Sequence, residues 1–260
     1  MSDAGRRPRT PDFDARAGAY DLLRPADEAW WRLFDVLVEE GDLRGRKVLD
    51  VGCGTGKLLA ALVERAHARA WGVDASEEML GVARTRLPAA VGLRPGRAEA
   101  LPFRDGWFER VTMRLVAHLV DRPTAFAEAR RVCAEGGRLA IATFHPEHFD
   151  TYWLNEWFPS IRAIDRARFP TPAELERDLL GAGFGHVACT RVSSLLTIDR
   201  RTAIERVRGR HISTFDLLDE EELREGTERA VAELPEVVVS RLEQIVVVAS
   251  GAGAMLGTNL

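Results

Sequence analysis

Val48-Leu49-Asp50-Val51-Gly52-Cys53-Gly54-Thr55-Gly56 is the stretch on which the reading of this chain turns. Four residues with an apolar bias read as a buried strand. Three alternating glycines then form a turn, and an apolar pattern at helical spacing follows over Thr55–Arg65. In an open α/β sheet a ligand sits at the carboxyl ends of the strands, beside such a first turn. Glycines there let backbone approach a ligand without a Cβ in the way. Downstream, Trp71–Val73 reads as a second strand closed by Asp74, whose carboxylate could accept both hydroxyl protons of a ribose. Ser76 then caps a helix over Glu77–Arg86.

The alternation continues outward. A short strand is expected near Gly92–Arg94, and strands over Phe108–Leu115 and Arg138–Thr143. A helix over Pro123–Val132 follows Asp121. Thr171-Pro172-Ala173-Glu174 has the spacing of a capping box with proline at the first helical position, and a strand near His186–Val192 comes after that helix. Asp219 and Glu222 repeat the capping-box spacing, and Leu242–Ala249 reads as the last strand. Strands alternating with helices require parallel pairing through right-handed crossovers. The expectation is a Rossmann-like, seven-stranded, doubly wound α/β sheet, mostly parallel with the last strand antiparallel, carrying helical lid insertions. One domain over 1–260 is expected, with an N-terminal helical cap over 1–44, a cofactor-binding core over 45–145, and lid insertions over 145–170 and 198–236. Residues 26–40 form the cap's helix, through Trp30, Trp31, Phe34, Leu37 and Val38.

Composition narrows the partners. The 260 residues carry a formal net charge of −4, so no bulk attraction to nucleic acid or an anionic membrane is expected. Only Lys47 and Lys57 are lysines among 36 basic residues, a bias that reads as GC-rich, bacterial genome composition. The three cysteines form no Cys-x-x-Cys pair and no disulfide framework, which suits a reducing compartment. Residues 1–11 read as a disordered tail and not as a signal peptide, and no apolar run reaches the length of a membrane span, so a cytoplasmic protein is expected.

The glycine-rich segment resembles motif I of the class I S-adenosylmethionine-dependent methyltransferases, and is similar to their small-molecule, type 11 branch. The resemblance runs on through Gly72–Met79, Ala98-Glu99-Ala100-Leu101-Pro102-Phe103, Asp105–Val111 and Arg130–Ile141, covering about residues 45–145. A nicotinamide enzyme would show G-x-G-x-x-G, where this chain has G-x-G-x-G. The resemblance implies S-adenosylmethionine as cofactor. Gly52, Gly54 and Gly56, with Cys53 between them, would line its methionine portion, and Asp50 would help hold the amino group. Asp74 would grip the ribose, and Ala75 and Met79 would flank the adenine. Ala98 or Glu99 would meet the adenine amino edge, since Arg97 stands where many relatives carry an acid. Tyr20 resembles an N-terminal tyrosine that closes over the cofactor, with ordinary helix packing as the alternative. Arg114 could meet a carboxylate of cofactor or substrate, or pair with a surface acid.

For transfer to oxygen, nitrogen or carbon of a small molecule, a proton acceptor would stand beyond the fourth and fifth strands. His118, His145 and His148 are the candidates, against plainer readings as helix-start and loop residues. His145-x-x-His148 lacks a third ligand at a recognised spacing, so no metal is expected. Tyr152, Trp153 and Trp157 would wall a flat, apolar acceptor or pack the lid. The basic run from Arg200 to His211 is followed at once by acids and holds no interleaved stacking aromatics, so a solvated lid is preferred to a tRNA or rRNA surface. A cofactor-binding module without transfer is the remaining alternative.

Overall fold

A computed structural model describes residues 11–251, and the expected N-terminal tail lies outside them except for Pro11. Seven strands form one sheet: β1 (Lys47–Val51), β2 (Arg69–Asp74), β3 (Gly92–Pro95), β4 (Phe108–Arg114), β5 (Cys133–Phe144), β6 (His186–Asp199) and β7 (Val237–Ser250). Their spatial order is β3-β2-β1-β4-β5-β7-β6, and only β7 runs antiparallel to its neighbours. The helices are α1 (Glu28–Glu40), α2 (Lys57–Ala66), α3 (Glu77–Arg86), α4 (Arg122–Val132), α5 (Ser160–Arg168), α6 (Pro172–Gly181), α7 (Arg200–Arg208) and α8 (Glu220–Glu233). No helix among the described residues is long and apolar enough to cross a membrane.

Strand alternation sorts the two faces. Leu139 and Ile141 of β5 join a core with Phe126 of α4 and Leu179 of α6. Ala140 and Ala142, one residue out of phase, face Leu33 and Leu37 of α1 and Leu62 of α2. α1 therefore covers the sheet as one of its flanking helices, and the part of the expected N-terminal cap that reaches over the strand ends is the segment before it. Asp27 caps α1 by accepting from the Trp30 amide at 2.9 Å. Cofactor-side strands were legible because their apolar runs are short and continuous, as two-sided burial requires.

Two sequence expectations change. The capping box at Thr171 forms as read, with reciprocal bonds to Glu174 at 2.8 and 3.2 Å. At Asp219 only half of it forms. Asp219 accepts from the Glu222 amide, but Glu222 accepts from the Ser160 amide at 2.9 Å and ties α8 to the start of α5. The last two strands also run well beyond their expected lengths. They pair from His186↔Ser250 to Asp199↔Val237, whereas β5 follows β7 only to Phe144↔Gln244. The outer halves form a two-stranded ribbon past the sheet, and their mixed polar sequence hid them. Ile198 and Val238 of this ribbon join Phe158, Val207 and Phe215 in a separate lid core.

Candidate functional site

A cavity of about 240 Å³ opens across the carboxyl ends of β1, β4 and β5. Its floor is the turn after β1. Gly52, Gly54 and Gly56 have φ of +70°, +52° and +76°, a region that only glycine enters freely. Their jobs differ. A Cβ on Gly52 would overlap Val116, and one on Gly56 would stand 2.7 Å from Leu87 Cδ1. A Cβ on Gly54 would meet nothing within 4 Å. Gly54 is thus the glycine with open space before it, while Gly56 is a packing glycine against α3 and lies outside the cavity lining. Cys53 lines the cavity, with its thiol pushed up by burial.

Asp50 is 2% exposed and accepts from the Thr112 hydroxyl at 2.8 Å. Burial pushes its carboxyl up to about 7, against the pull of that bond. Arg114 ends β4 beside it, and Leu115 follows at φ +57°, a left-handed position unusual for leucine that turns the chain out of the strand. The Arg114 guanidinium lies 5.3 Å from the centroid of Trp30 and forms no ion pair among the described residues. The surface acid considered as its partner is not there.

The β2 side of the turn is arranged differently. Asp74 accepts from the Gly54 amide at 2.7 Å and the Ser76 amide at 2.9 Å. It braces the turn from below with lone pairs to spare. Ala75 is exposed and Met79 buried at the start of α3. Ala98 is buried in the main core, and Glu99 accepts from the Asp121 amide at 3.1 Å and lies 3.4 Å from Arg97. Asp74, Ala75, Met79, Ala98 and Glu99 stand along the ends of β2 and β3, beside the enclosed cavity and outside its lining.

The N-terminal segment roofs the turn. Asp21 pairs with Lys57 at 3.0 Å and with Arg86 at 2.6 Å. Burial raises its carboxyl, but these bonds outweigh burial and hold it below the usual range. The clamp brings Tyr20 and Arg24 to the cavity, with Arg24 4.2 Å over the Tyr20 ring. Asp21, Arg24 and Lys57 were not singled out from sequence. Lys57 lies more than thirty positions from Asp21 and Arg24 and meets them only in the fold.

Of the three candidate histidines, two reach the cavity. His118 stacks on Phe169 at 3.9 Å, and its Nδ1 is buried without a partner. Burial, with help from Arg168 and Arg24, pushes it down to about 3. His148 is 1% exposed and stacks on Phe144 at 4.5 Å. Its Nδ1 donates to the Arg241 carbonyl at 3.2 Å, so Nε2 carries the lone pair. Burial pushes this imidazole down to about 4. His145 is not part of the lining. Its Nδ1 accepts from the Glu147 amide at 3.2 Å and caps the turn Pro146–Asp150. His145 is the extended residue that precedes the turn, at φ −72° and ψ 137°, whereas His148 lies within it, so the two rings leave different backbone geometries.

Tyr152 and Trp153 line the cavity, but Trp157 does not. Trp157 donates from Nε1 to Glu233 at 3.2 Å inside the lid core. The basic run is not wholly solvated either. Arg206 is 8% and His211 7% exposed, and both line the cavity. His211 donates from Nδ1 to the Arg206 carbonyl at 3.1 Å, which leaves Nε2 to accept from the Tyr152 hydroxyl at 3.2 Å. The signal available in sequence was the spacing within α7, which sets Ala203, Arg206 and Val207 on its buried side. Among the described residues no group of three His, Cys, Asp or Glu could hold a metal ion.

Residues 49–141, which contain the glycine turn, β2, β4 and most of β5, match the family described as methyltransferase domain. This core resembles the class I S-adenosylmethionine-dependent methyltransferase domain. An uncharacterised methyltransferase of Mycobacterium tuberculosis is 38% identical over 136 residues, 52% of this chain and 53% of that protein. The ubiquinone/menaquinone biosynthesis C-methyltransferase UbiE of Burkholderia mallei is 34% identical over 143 residues, 51% of this chain and 58% of that protein. The chain thus spans about half the length of the curated relatives it matches. Among solved structures, the phosphoethanolamine N-methyltransferase 2 of Haemonchus contortus in complex with S-adenosyl-L-methionine has a TM-score of 0.58 at 18% identity, over 92% of this chain and 57% of that one. The YcgJ protein of Bacillus subtilis has a TM-score of 0.58 at 21% identity, over 85% and 98%. At such identity these two share the methyltransferase fold with the chain and nothing finer.

Proposed function

We propose that the protein transfers a methyl group from S-adenosylmethionine to a small molecule held under its lid. One observation carries the reading: a single cavity joins the family's glycine turn to a chamber walled by Phe149, Tyr152, Trp153 and Phe169. The residues fit the cofactor, because Gly54 leaves open space at a positive φ, Asp50 presents a buried carboxyl, and Arg114 presents an unpaired guanidinium. When bound, S-adenosylmethionine supplies an electrophilic methyl that leaves its sulfonium by in-line displacement.

The chain's own residues then have four tasks. Asp50 balances the amino group and Arg114 the carboxylate of the methionine portion. Asp74, already oriented by two backbone amides, has acceptor capacity left for the ribose hydroxyls. The aromatic walls exclude water and fix a flat acceptor, which can supply several kcal/mol of the barrier through orientation (roughly 7–11 in the best cases). His148 Nε2 takes a proton from the acceptor when the acceptor bears one. Its low pKa keeps the imidazole neutral with Nε2 free to accept and also makes it a weak base, so it suits an acceptor whose proton is already acidic.

A small-molecule acceptor is supported by the chamber with aromatic walls beside the glycine turn, and by the name of the UbiE relative. Calorimetry with S-adenosylhomocysteine, followed by transfer of a labelled methyl into separated metabolite, tRNA and rRNA pools, tests the proposal. Label in the metabolite pool is the expected result. Label confined to RNA would overturn the acceptor class, and absence of binding would overturn the cofactor. Asp74→Ala should weaken S-adenosylhomocysteine by at least about tenfold, the loss of one charge-assisted interaction. Unchanged affinity would remove the ribose role.

A further inference from the structure

The charges around the cavity match in number, four acids against Lys57 and three arginines, but not in pairing. Four acids line it, and each is committed. Asp21 holds Lys57 and Arg86, and Asp27 caps α1. Asp50 takes the Thr112 hydroxyl. Asp165 takes the Thr214 hydroxyl at 2.7 Å and lies 3.3 Å from Arg168. Three guanidinium groups face the same space with no ion pair among the described residues: Arg24, Arg114 and Arg206. Arg206 is the extreme case. It is 8% exposed, and its Nε is buried with no hydrogen-bond partner. A buried cation without a counter-charge destabilises a fold, so its retention beside a cavity points to a charge that arrives with a ligand.

We propose that the methyl acceptor carries a carboxylate, which Arg206 grips from the lid with Arg24 beside it. The inference rests on the methyltransferase reading above. The cofactor brings one carboxylate, and Arg114, next to Asp50 on the floor, is placed to meet it. Arg206 stands at the other end, on α7, beside the His211–Tyr152 pair. Its charge and that of Arg24 both act on Tyr152 and His211, which places the two guanidiniums around one chamber. A planar fork of N–H donors matches a carboxylate with two parallel bonds. A monoanion is the match for the one guanidinium of the cavity lining whose Nε is buried without a partner. Phe149, Tyr152, Trp153 and Phe169 would stack the acceptor's body, so the class is a small, planar carboxylic acid.

The test uses the full chain with S-adenosylhomocysteine present. Calorimetry compares a set of hydroxybenzoates with their amides and with phenyl phosphate. At least one carboxylate should bind tenfold or more above its amide. Arg206→Met should abolish that preference while S-adenosylhomocysteine affinity holds, and Arg206→Lys, which keeps the charge but not the fork, should recover part of it. Without ligand, Arg206→Met should raise Tm by about 2–4 °C, since an unpaired buried charge has been removed. Failure of wild type to bind S-adenosylhomocysteine sinks the methyltransferase reading itself. With that binding intact, equal affinity for acid and amide, no acid bound, phenyl phosphate preferred, or a lowered Tm in Arg206→Met each overturns the carboxylate site.

Discussion

Alanine at each of the two outer cavity glycines should separate stability from ligand binding. Gly52 and Gly54 both sit at positive φ, +70° and +52°. An alanine there stores about 1–3 kcal/mol of backbone strain in either case. That term cancels in the comparison. What differs is the space. The new methyl at position 52 runs into Val116, a side chain 8% exposed and held by the main core, whereas at position 54 it meets nothing within 4 Å. Overpacking a tight site costs about 1–3 kcal/mol. Gly52→Ala should therefore unfold at lower urea than Gly54→Ala, by about 1–3 kcal/mol at unchanged m-value. Trimming the obstacle should give part of this back. Gly52→Ala with Val116→Ala should cost less than the sum of the two single changes, by about 0.5–3 kcal/mol of coupling. Binding should reverse the order of severity. Gly54→Ala places a methyl in the open space before the turn, so S-adenosylhomocysteine should bind at least about tenfold more weakly, or 1.4 kcal/mol. Folded Gly52→Ala should bind nearly as wild type. Urea melts and calorimetry on the same preparations decide it. Equal melts for the two variants would refute the packing role of Gly52, and wild-type affinity in Gly54→Ala would refute the assignment of the open face.

The raised Asp50 carboxyl has a pH signature. Between about pH 4 and 7 the folded protein holds a proton that the unfolded chain has released, so this group makes stability fall as pH rises through that window, and Asp50→Asn should flatten the profile of melts against pH. Binding an ammonium beside Asp50 should drive that proton off, giving release of up to about one proton near pH 6 that fades above pH 8. Calorimetry in buffers of different ionisation enthalpy reads it, and no buffer dependence near pH 6 would remove Asp50 from the amino-group site. His148→Ala should lower kcat by about 10²–10⁴ with S-adenosylhomocysteine affinity intact if the acceptor must lose a proton. His145→Ala, which removes only a turn cap, should cost about 0.5–2 kcal/mol of stability and leave kcat near wild type. The opposite ranking of the two histidines would return the base to position 145.

What could be read along the chain was whatever depends on near neighbours in sequence. The strand-to-glycine-turn segment at Val48–Gly56, the caps at Ser76, Asp121 and Thr171, and the alternation that demands a parallel sheet all rest on contacts within a few residues. The antiparallel final strand and the aromatic lid were legible as well. The length of the β6–β7 ribbon was not, because its apolar stretches at 195–196 and 237–239 are short, broken by polar residues and partly exposed, and they extend as strands by pairing with each other. Side-chain direction was the other blind spot. His145 and His148 look alike on paper, but the first caps the turn from an extended position and bonds a backbone amide, while the second lies within the turn and faces the chamber. Gly56 packs against α3 outside the cavity lining while Gly54 faces open space, a division that three alternating glycines cannot reveal. The unpaired guanidinium groups around the cavity belong to tertiary structure alone. Arg24, Arg114 and Arg206 come from a loop, a strand end and a lid helix, and whether each has a partner is decided by which acids the fold has already spent on Lys57, Thr112 and Thr214.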